Sequence, residues 1–311
     1  MDKIRCKICG QSNTRRLFTA PNIHGRQPQI QKNFDVFECP RCSLAFTRVE
    51  IGADFYKKYY LKDYYEPLFG FNNLVTRFLV KGWEALEFFR RLVILNKYGS
   101  SGLKLLEIGC GRGEFLSKLP GGFEKYGVEI NKNAWSYVKK YRPNITIYNQ
   151  SIDSKYFFGK KNYDMIIMWH VLEHISDPNG FLESLKKLLG KNGVLILDVP
   201  NKDSLGFNFT KNYWFHLDTP RHLFYFNHSG LSKLLEKHGL RIQNYFADPV
   251  GYFHDLPVSI YRKFRSTNRL VNFFIFLIVF PTGLLVRLTT SLFKPEIAEI
   301  NTYIIVRASG K

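Results

Sequence analysis

Residues 105–116 read LLEIGCGRGEFL, and this stretch decides the fold. An apolar strand-like run ends at Ile108, glycines follow at 109, 111 and 113, and a helical segment opens beyond them. Glycine lets the backbone pass close to a ligand, so a strand, a glycine turn and a helix in this order form a nucleotide-binding turn. A dinucleotide fingerprint wants its third glycine at position 114, which is Glu114 here, and an apolar residue where Glu107 stands. Both departures weaken a nicotinamide reading.

Working outward from the turn, strand-like runs lie at 103–108, 125–129, 145–148, 163–169 and 193–199, with helical segments at 113–119, 132–141 and 178–189 between them. Two further strands are readable at 240–246 and 301–307. Strands alternating with helices pair in parallel through crossover helices, which predicts a doubly wound α/β sheet. Glu129 falls twenty residues after Gly109, at the end of the second strand, where a carboxylate can accept from both hydroxyls of a ribose. Ser151, Ile152 and Asp153 follow the third strand, where an adenine ring is expected.

EIGCGRG, then YGVEI, then YDMIIMWHVLEHISDP occur in the order and at the spacing of class I S-adenosylmethionine-dependent methyltransferases, and the chain resembles that family over about residues 70–246 plus the last strand. The resemblance implies a seven-stranded Rossmann-like sheet with S-adenosyl-L-methionine as cofactor. Gly109, Cys110, Gly111 and Gly113 would approach its methionine part, Glu107 would support its amino group, Glu129 with Ile130 would hold the ribose, and Ser151 with Ile152 would receive adenine. Where the family has Gly-Asp or Gly-Ser before the adenine position, this chain has Gln150-Ser151. The whole chain is also similar to a narrower bacterial group with a two-knuckle zinc module and a downstream D-x-P-R-H-L segment, here Asp218 to Leu223, whose genes often lie among those for surface glycans and secondary products.

Methyl transfer from a sulfonium needs alignment, and with a hydroxyl or activated carbon as acceptor it also needs a proton removed. Histidine is the natural base near neutral pH. His174 is the first candidate, His222 the second and His170 the third, with His216 nearby and Asp218 and Arg221 as orienting or structural partners. The string His170-x-x-Glu173-His174 matches an inverted zinc-peptidase pattern, but a β-like run before it and Asp177-Pro178 after it argue against the helix that pattern requires. A divalent ion held by Glu173 and a histidine is the minor alternative.

Cys6-x-x-Cys9 and Cys39-x-x-Cys42, with 29 residues between them, form two knuckles of a zinc ribbon. Four thiolates close a tetrahedral site and leave no water for catalysis, so the Zn2+ is expected to be structural. A fifth cysteine makes a complete disulfide framework impossible, and MDKIRCKICG lacks the apolar core of a signal peptide, so reducing cytoplasm is expected.

The net charge is +19, which favours polyanionic surfaces, either anionic lipid or nucleic acid. Arg262, Lys263, Arg265 and Arg269 precede LVNFFIFLIVFPTGLLV, 17 uncharged residues from Leu270 to Val286 that the minimal fold does not require. A basic collar beside an apolar run suits the inner face of a membrane, and Pro281 with Gly283 is expected to break the run, giving a helix or bent hairpin dipping into one leaflet. A buried helix or a dimer interface is the competing reading.

The expected organisation is a zinc ribbon at 1–53, a helical lid or linker at 54–100 that begins with the Tyr-rich stretch 54–71, and a methyltransferase domain at 101–311 with an apolar helical insert at about 255–295. The expected activity is methylation of a hydroxyl or carbon on a small-molecule, glycan or lipid-linked cell-envelope precursor, by a peripheral cytoplasmic enzyme. RNA methylation is the runner-up, disfavoured because MWHVLEH replaces the Asn/Asp-Pro-Pro-aromatic sequence of many base-amino methylases. A cofactor-binding membrane scaffold without catalysis is the non-enzymatic alternative.

Overall fold

Side chains alternate along a strand, and here both faces of the alternation are apolar. In Lys104–Ile108, Leu105 enters one buried cluster while Leu106 and Ile108 enter another; in Tyr163–Trp169, Met165, Ile167 and Trp169 go one way, and Ile166 and Met168 the other. Strands apolar on both faces belong inside a sheet covered on both sides.

The computed structural model describes residues 4–22, 33–52, 55, 59, 74–99, 102–150 and 162–308. In chain order its elements are β1 (Arg15–Pro21), β2 (Asn33–Glu38), β3 (Ala45–Thr47), α1 (Leu74–Tyr98), β4 (Lys104–Ile108), α2 (Glu114–Lys118), β5 (Glu124–Val128), α3 (Lys132–Tyr141), β6 (Ile145–Tyr148) and β7 (Tyr163–Trp169). They continue with α4 (Pro178–Leu188), β8 (Leu189–Pro200), α5 (Leu205–Thr210), β9 (Phe224–Tyr225), α6 (His228–Lys237), β10 (Leu240–Ala247), α7 (Asp255–Phe264), α8 (Arg269–Phe293) and β11 (Ile300–Arg307). Most of the Tyr-rich stretch expected at 54–71, and the adenine loop with Ser151 and Ile152, lie outside the described residues.

Seven strands form one sheet in the order β10-β11-β8-β7-β4-β5-β6. β6, β5, β4, β7 and β8 run parallel, and β11 is antiparallel to both β8 and β10. The strand order reverses at β4, which has β5 on one side and β7 on the other, and ligands of such sheets bind in the crevice beyond the carboxyl ends at this point. Ile94 and Leu95 of α1, Phe115 and Leu116 of α2 and Val138 of α3 cover one face. Leu182 and Leu185 of α4 with Leu231, Leu234 and Leu235 of α6 cover the other. Local sequence starts the helices: the Asn131 side chain caps α3, Asp177 caps α4 with Pro178 in its first turn, and Asn227 caps α6.

The cysteine-bearing segment has its own strands but shares its core. β1, β2 and β3 pair antiparallel, and β9 closes this second sheet through Ala45 opposite Tyr225 and Phe46 opposite Phe224. Cys6, Cys39, Cys42, Leu44 and Phe46 pack in the same cluster as Leu182 and Leu231.

α8 corrects one expectation. Pro281 does not break the run: a continuous 25-residue helix passes through it. Proline removes the N–H that would meet the Leu277 carbonyl one turn back, a cost the helix bears on a face that is exposed at Pro281. Gly283 serves close approach instead, since a Cβ there would sit 3.0 Å from the Pro257 Cα of α7. Nor is α8 a buried helix, for 6% of its most apolar window is buried.

Candidate active site

The turn after β4 is built as its sequence requires. Gly109, Gly111 and Gly113 have φ of 73°, 54° and 67°, in the left-handed region that side chains disfavour. At Gly109 a Cβ would also lie 2.7 Å from Val171 Cγ2, so the turn and the loop after β7 touch only because the side chain is absent. The Cys110 side chain is buried, with Sγ 2.7 Å from where a Cβ on Gly127 would be, and its backbone shapes the turn: Cys110 N–H donates to Val128 O at 3.1 Å and Cys110 O accepts from Gly113 N–H at 2.8 Å.

Two carboxylates flank the turn. Glu129 is buried; Oε2 accepts from Gly111 N–H at 2.9 Å and Oε1 from Asn131 N–H at 2.8 Å. It thereby ties the end of β5 to the turn. Ile130, beside it, is 49% exposed and offers an apolar surface at the rim. Glu107 is 4% exposed, and its Oε2 has no hydrogen-bond partner among the described residues. Burial, reinforced by the charges of Glu129 and Glu114 and opposed by Arg91, pushes its carboxyl up to about 8. A buried acid with an orphaned oxygen beside a glycine turn fits the ammonium group of an amino-acid ligand. The residues present therefore fit S-adenosylmethionine: glycine backbone for its methionine part, Glu107 for its amino group, Glu129 for its sugar.

α1 closes this end of the sheet with groups the sequence reading did not select. Arg90 meets Asp198 at 2.7 Å, Asp248 at 2.9 Å and Glu87 at 3.0 Å, and Arg91 lies 4.7 Å from the Trp169 ring centroid. E-x-x-R-R puts Glu87, Arg90 and Arg91 on one helix face, a legible signal. The strand-end acids that Arg90 meets, Asp198 and Asp248, lie more than a hundred residues away and are not foreseeable from spacing.

The loop after β7 is a single 3-10 turn, Leu172–His174, as expected for a segment that is not an α-helix. It brings the histidines together. The His174 and His222 rings are 4.6 Å apart, with Glu173 beside them, and one ligand atom from each of the three lies within 4.8 Å of the others. His170, at φ 56°, puts Nδ1 3.4 Å from Glu173 Oε1. Burial disfavours charge on both members of this pair, but each holds the other charged: the Glu173 carboxyl is lowered to about 2 and the His170 imidazole is raised. Burial and the His174 ring push His222 down to about 3, so it is neutral at physiological pH and a weak proton acceptor. His216 stands apart, with Nε2 2.9 Å from Asp255 Oδ2. Arg221 and Asp218 pair with each other at 2.7 Å and brace the loop that carries His222.

The four knuckle cysteines converge, with Cys6 and Cys42 sulfurs 3.7 Å apart and Cys9 and Cys39 sulfurs 3.5 Å apart. A tetrahedral zinc with Zn–S bonds of about 2.3 Å places sulfurs about 3.8 Å apart. The two knuckles are built alike: Cys6 N–H donates to Gln11 O and Cys39 N–H to Leu44 O, while Gly10 N–H donates to Cys6 O and Ser43 N–H to Cys39 O, all at 2.9 Å. Gly10 and Ser43 both take positive φ, so serine fills in the second knuckle the position glycine fills in the first.

Comparison with known proteins agrees with this geometry. A family model described as a methyltransferase domain matches residues 83–245. The ubiquinone biosynthesis O-methyltransferase of Pelagibacter ubique is 26% identical over 143 residues, which is 44% of this chain and 57% of that protein. Its counterpart from Caulobacter sp. (strain K31) is 30% identical over 108 residues, 32% of this chain and 42% of that protein. The chain thus spans about half the length of the curated relatives it matches. Among solved structures, a chain of the complex between the Haloferax volcanii Trm112 methyltransferase activator and the putative methyltransferase superposes with a TM-score of 0.54 at 14% identity, over 74% of this chain and 93% of that one, a likeness of fold.

Proposed function

This chain belongs to the methyltransferase-domain family, and from that premise we propose that it transfers a methyl group from S-adenosylmethionine to a hydroxyl or carbon of a small-molecule, glycan or lipid-linked cell-envelope precursor. The observation that carries the reading is the buried Glu107 with an unpartnered oxygen beside a turn of three positive-φ glycines. The relatives named for O-methylation favour a hydroxyl acceptor.

Bound, the cofactor supplies a methyl carbon whose bond to sulfur breaks, leaving its electron pair on sulfur, as the acceptor oxygen bonds to it. The chain's own residues position and deprotonate. The glycine turn admits the cofactor's amino-acid end, Glu107 fixes its ammonium, and Glu129 fixes its sugar while holding the turn through Gly111. His174, beside the charged His170–Glu173 pair and with its ring 4.6 Å from that of His222, assists departure of the acceptor's proton, while His170 and His222 line the same site. The cysteine cluster holds a structural zinc that fixes β1–β3 against β9, and α8 with its basic collar places the enzyme on the cytoplasmic face of an anionic membrane.

Isothermal titration with S-adenosylhomocysteine tests the core of this reading: micromolar binding is expected for the intact chain, weakened at least tenfold by Glu129→Ala. Absence of heat, together with no effect of the substitution, would overturn it. His174→Gln should keep that heat and abolish release of S-adenosylhomocysteine in turnover with envelope extract; retained turnover removes His174 from the chemistry.

A further inference from the structure

We propose that Tyr252 positions the methyl acceptor, its exposed ring forming a wall against which a hydroxyl-bearing ring of the acceptor lies. The inference rests on the methyltransferase reading and adds to it the class of the acceptor. β11 runs antiparallel to both β8 and β10, so β10 points the same way as β8 and ends at the crevice beyond the carboxyl ends of the parallel strands. The segment that leaves β10 there is tied down at its start. Asp248 Oδ1 accepts from Val250 N–H at 2.9 Å and from Gly251 N–H at 2.7 Å, its Oδ2 meets Arg90 at 2.9 Å, and the Gly251 carbonyl accepts from Arg287 at 2.7 Å. Tyr252 follows at once, with φ of 47°. A bulky side chain in the left-handed region is strained, and strain of this kind persists where the surroundings over-determine it, as they do at ligand clamps.

Neighbouring rings fix where the side chain stands. Its centroid lies 5.1 Å from that of His170 and 5.6 Å from that of His216, edge-on to both imidazoles, and 5.8 Å from that of Phe215. His170 is itself at φ 56°, and the residue after it, Val171, is the one that Gly109 of the cofactor turn approaches. A chain of contacts thus runs from the cofactor turn through residues 170 and 171 to Tyr252. These contacts use only part of the ring. Tyr252 is 42% exposed, and its hydroxyl makes no hydrogen bond among the described residues. A ring that served only to brace His170 would be covered by the protein it braces. Beside it Phe253 is 39% exposed, with its centroid 3.9 Å from that of Trp83 in α1. Exposed aromatic rings at the mouth of a crevice favour a ligand with a flat apolar face, because stacking buries a large area on both partners for few frozen torsions. The π face of an aromatic ring and the C–H face of a sugar ring both present one.

The test follows release of S-adenosylhomocysteine by the full chain against dilution of envelope extract. Tyr252→Leu keeps a Cβ at the strained position and removes the ring. It should raise the extract concentration at half-saturation by about tenfold or more and leave the maximal rate within about threefold, the pattern of lost acceptor binding. Tyr252→Phe, which restores the ring, should bring half-saturation most of the way back. A maximal rate that falls in Tyr252→Leu at unchanged half-saturation means that the ring only braces His170 and overturns the proposal, as does equal behaviour of the two variants. Should melting curves show Tyr252→Leu unfolded, Tyr252→Asn, which tolerates positive φ, takes its place. Catechol and methyl glucoside, added separately as competitors, distinguish an aromatic from a sugar ring, and competition by neither overturns the ring class. S-adenosylhomocysteine titrations on the same samples separate the two readings. No heat from the intact chain sinks the methyltransferase reading and this proposal with it, whereas heat without turnover, or turnover indifferent to Tyr252→Leu, sinks the role of Tyr252 alone.

Discussion

Glu107 is an acid that folding keeps protonated. Its folded-state value of about 8 lies above the ordinary 4.5, so its contribution to stability is fully present below about pH 4.5 and is lost as pH rises through about 8. Binding runs the other way. A ligand ammonium wants the carboxylate, so cofactor binding must strip the proton from Glu107 at neutral pH. S-adenosylhomocysteine should therefore bind more tightly as pH rises from 6 to 8, by up to about tenfold per unit, with proton release visible as a dependence of the titration heat on buffer ionisation enthalpy. Glu107→Gln should flatten that dependence and weaken binding by about 1.5 to 3 kcal/mol at pH 8, the range for a hydrogen bond to a charged group. A wild-type affinity flat between pH 6 and 8 would remove Glu107 from the amino-group site. This residue was legible in the sequence because its anomaly is local: an acid one place before the end of a buried strand. Arg91, which acts on the same carboxyl, was not, because nothing in a helical E-x-x-R-R says which strand ends it will face.

At the scale of elements, the α7–α8 pair shows where local reading fails. Pro281 and Gly283 read as breakers, because propensity counts the missing donor and the backbone freedom. Tertiary contact reverses the second, while Pro281 is simply carried on the exposed side of the helix. Gly283, Arg287 and Ser291 recur every four residues and are the buried residues of α8, so they form the stripe by which the helix lies on the protein. Arg287, 1% exposed, donates to Asp255 Oδ1, to the carbonyls of Asp248 and Gly251, and to the Ser291 hydroxyl. Asp255 in turn meets His216, linking α8 to the segment that precedes His222. Arg287→Met should destabilise by about 3 to 5 kcal/mol, because it leaves the buried Asp255 carboxylate without its guanidinium; thermal melting checks this, and a shift under a degree would mean the pair is not holding the helix. Gly283→Leu should lower the melting temperature too, since a side chain cannot enter the 3.0 Å gap to Pro257 without parting the helices.

For the whole molecule, that buried stripe decides how the rest of α8 can meet a membrane. By length α8 could cross: 25 residues rise about 38 Å, against about 30 Å of hydrocarbon. Crossing would pull Arg287 out of its contacts with Asp255 and the loop carbonyls, whereas lying flat keeps them and still buries the opposite face. That face carries Phe274, Ile278 and Leu285 at 61%, 66% and 64% exposure, with Arg262, Lys263, Arg265 and Arg269 at one end. An apolar surface of this kind on a chain of net charge +19 suits peripheral docking on anionic lipid. The protein should float with vesicles containing phosphatidylglycerol at low salt and not with neutral phosphatidylcholine vesicles, and raised salt should weaken the association. Phe274→Ser with Ile278→Ser should abolish flotation while leaving the melting temperature within about a degree, because both side chains point away from the stripe that holds the helix. If the chain instead stays with the soluble fraction and sediments as a dimer that these two substitutions dissociate, the exposed face is covered by a second copy, and the membrane reading fails without disturbing the site at the other end of the Arg287 contacts.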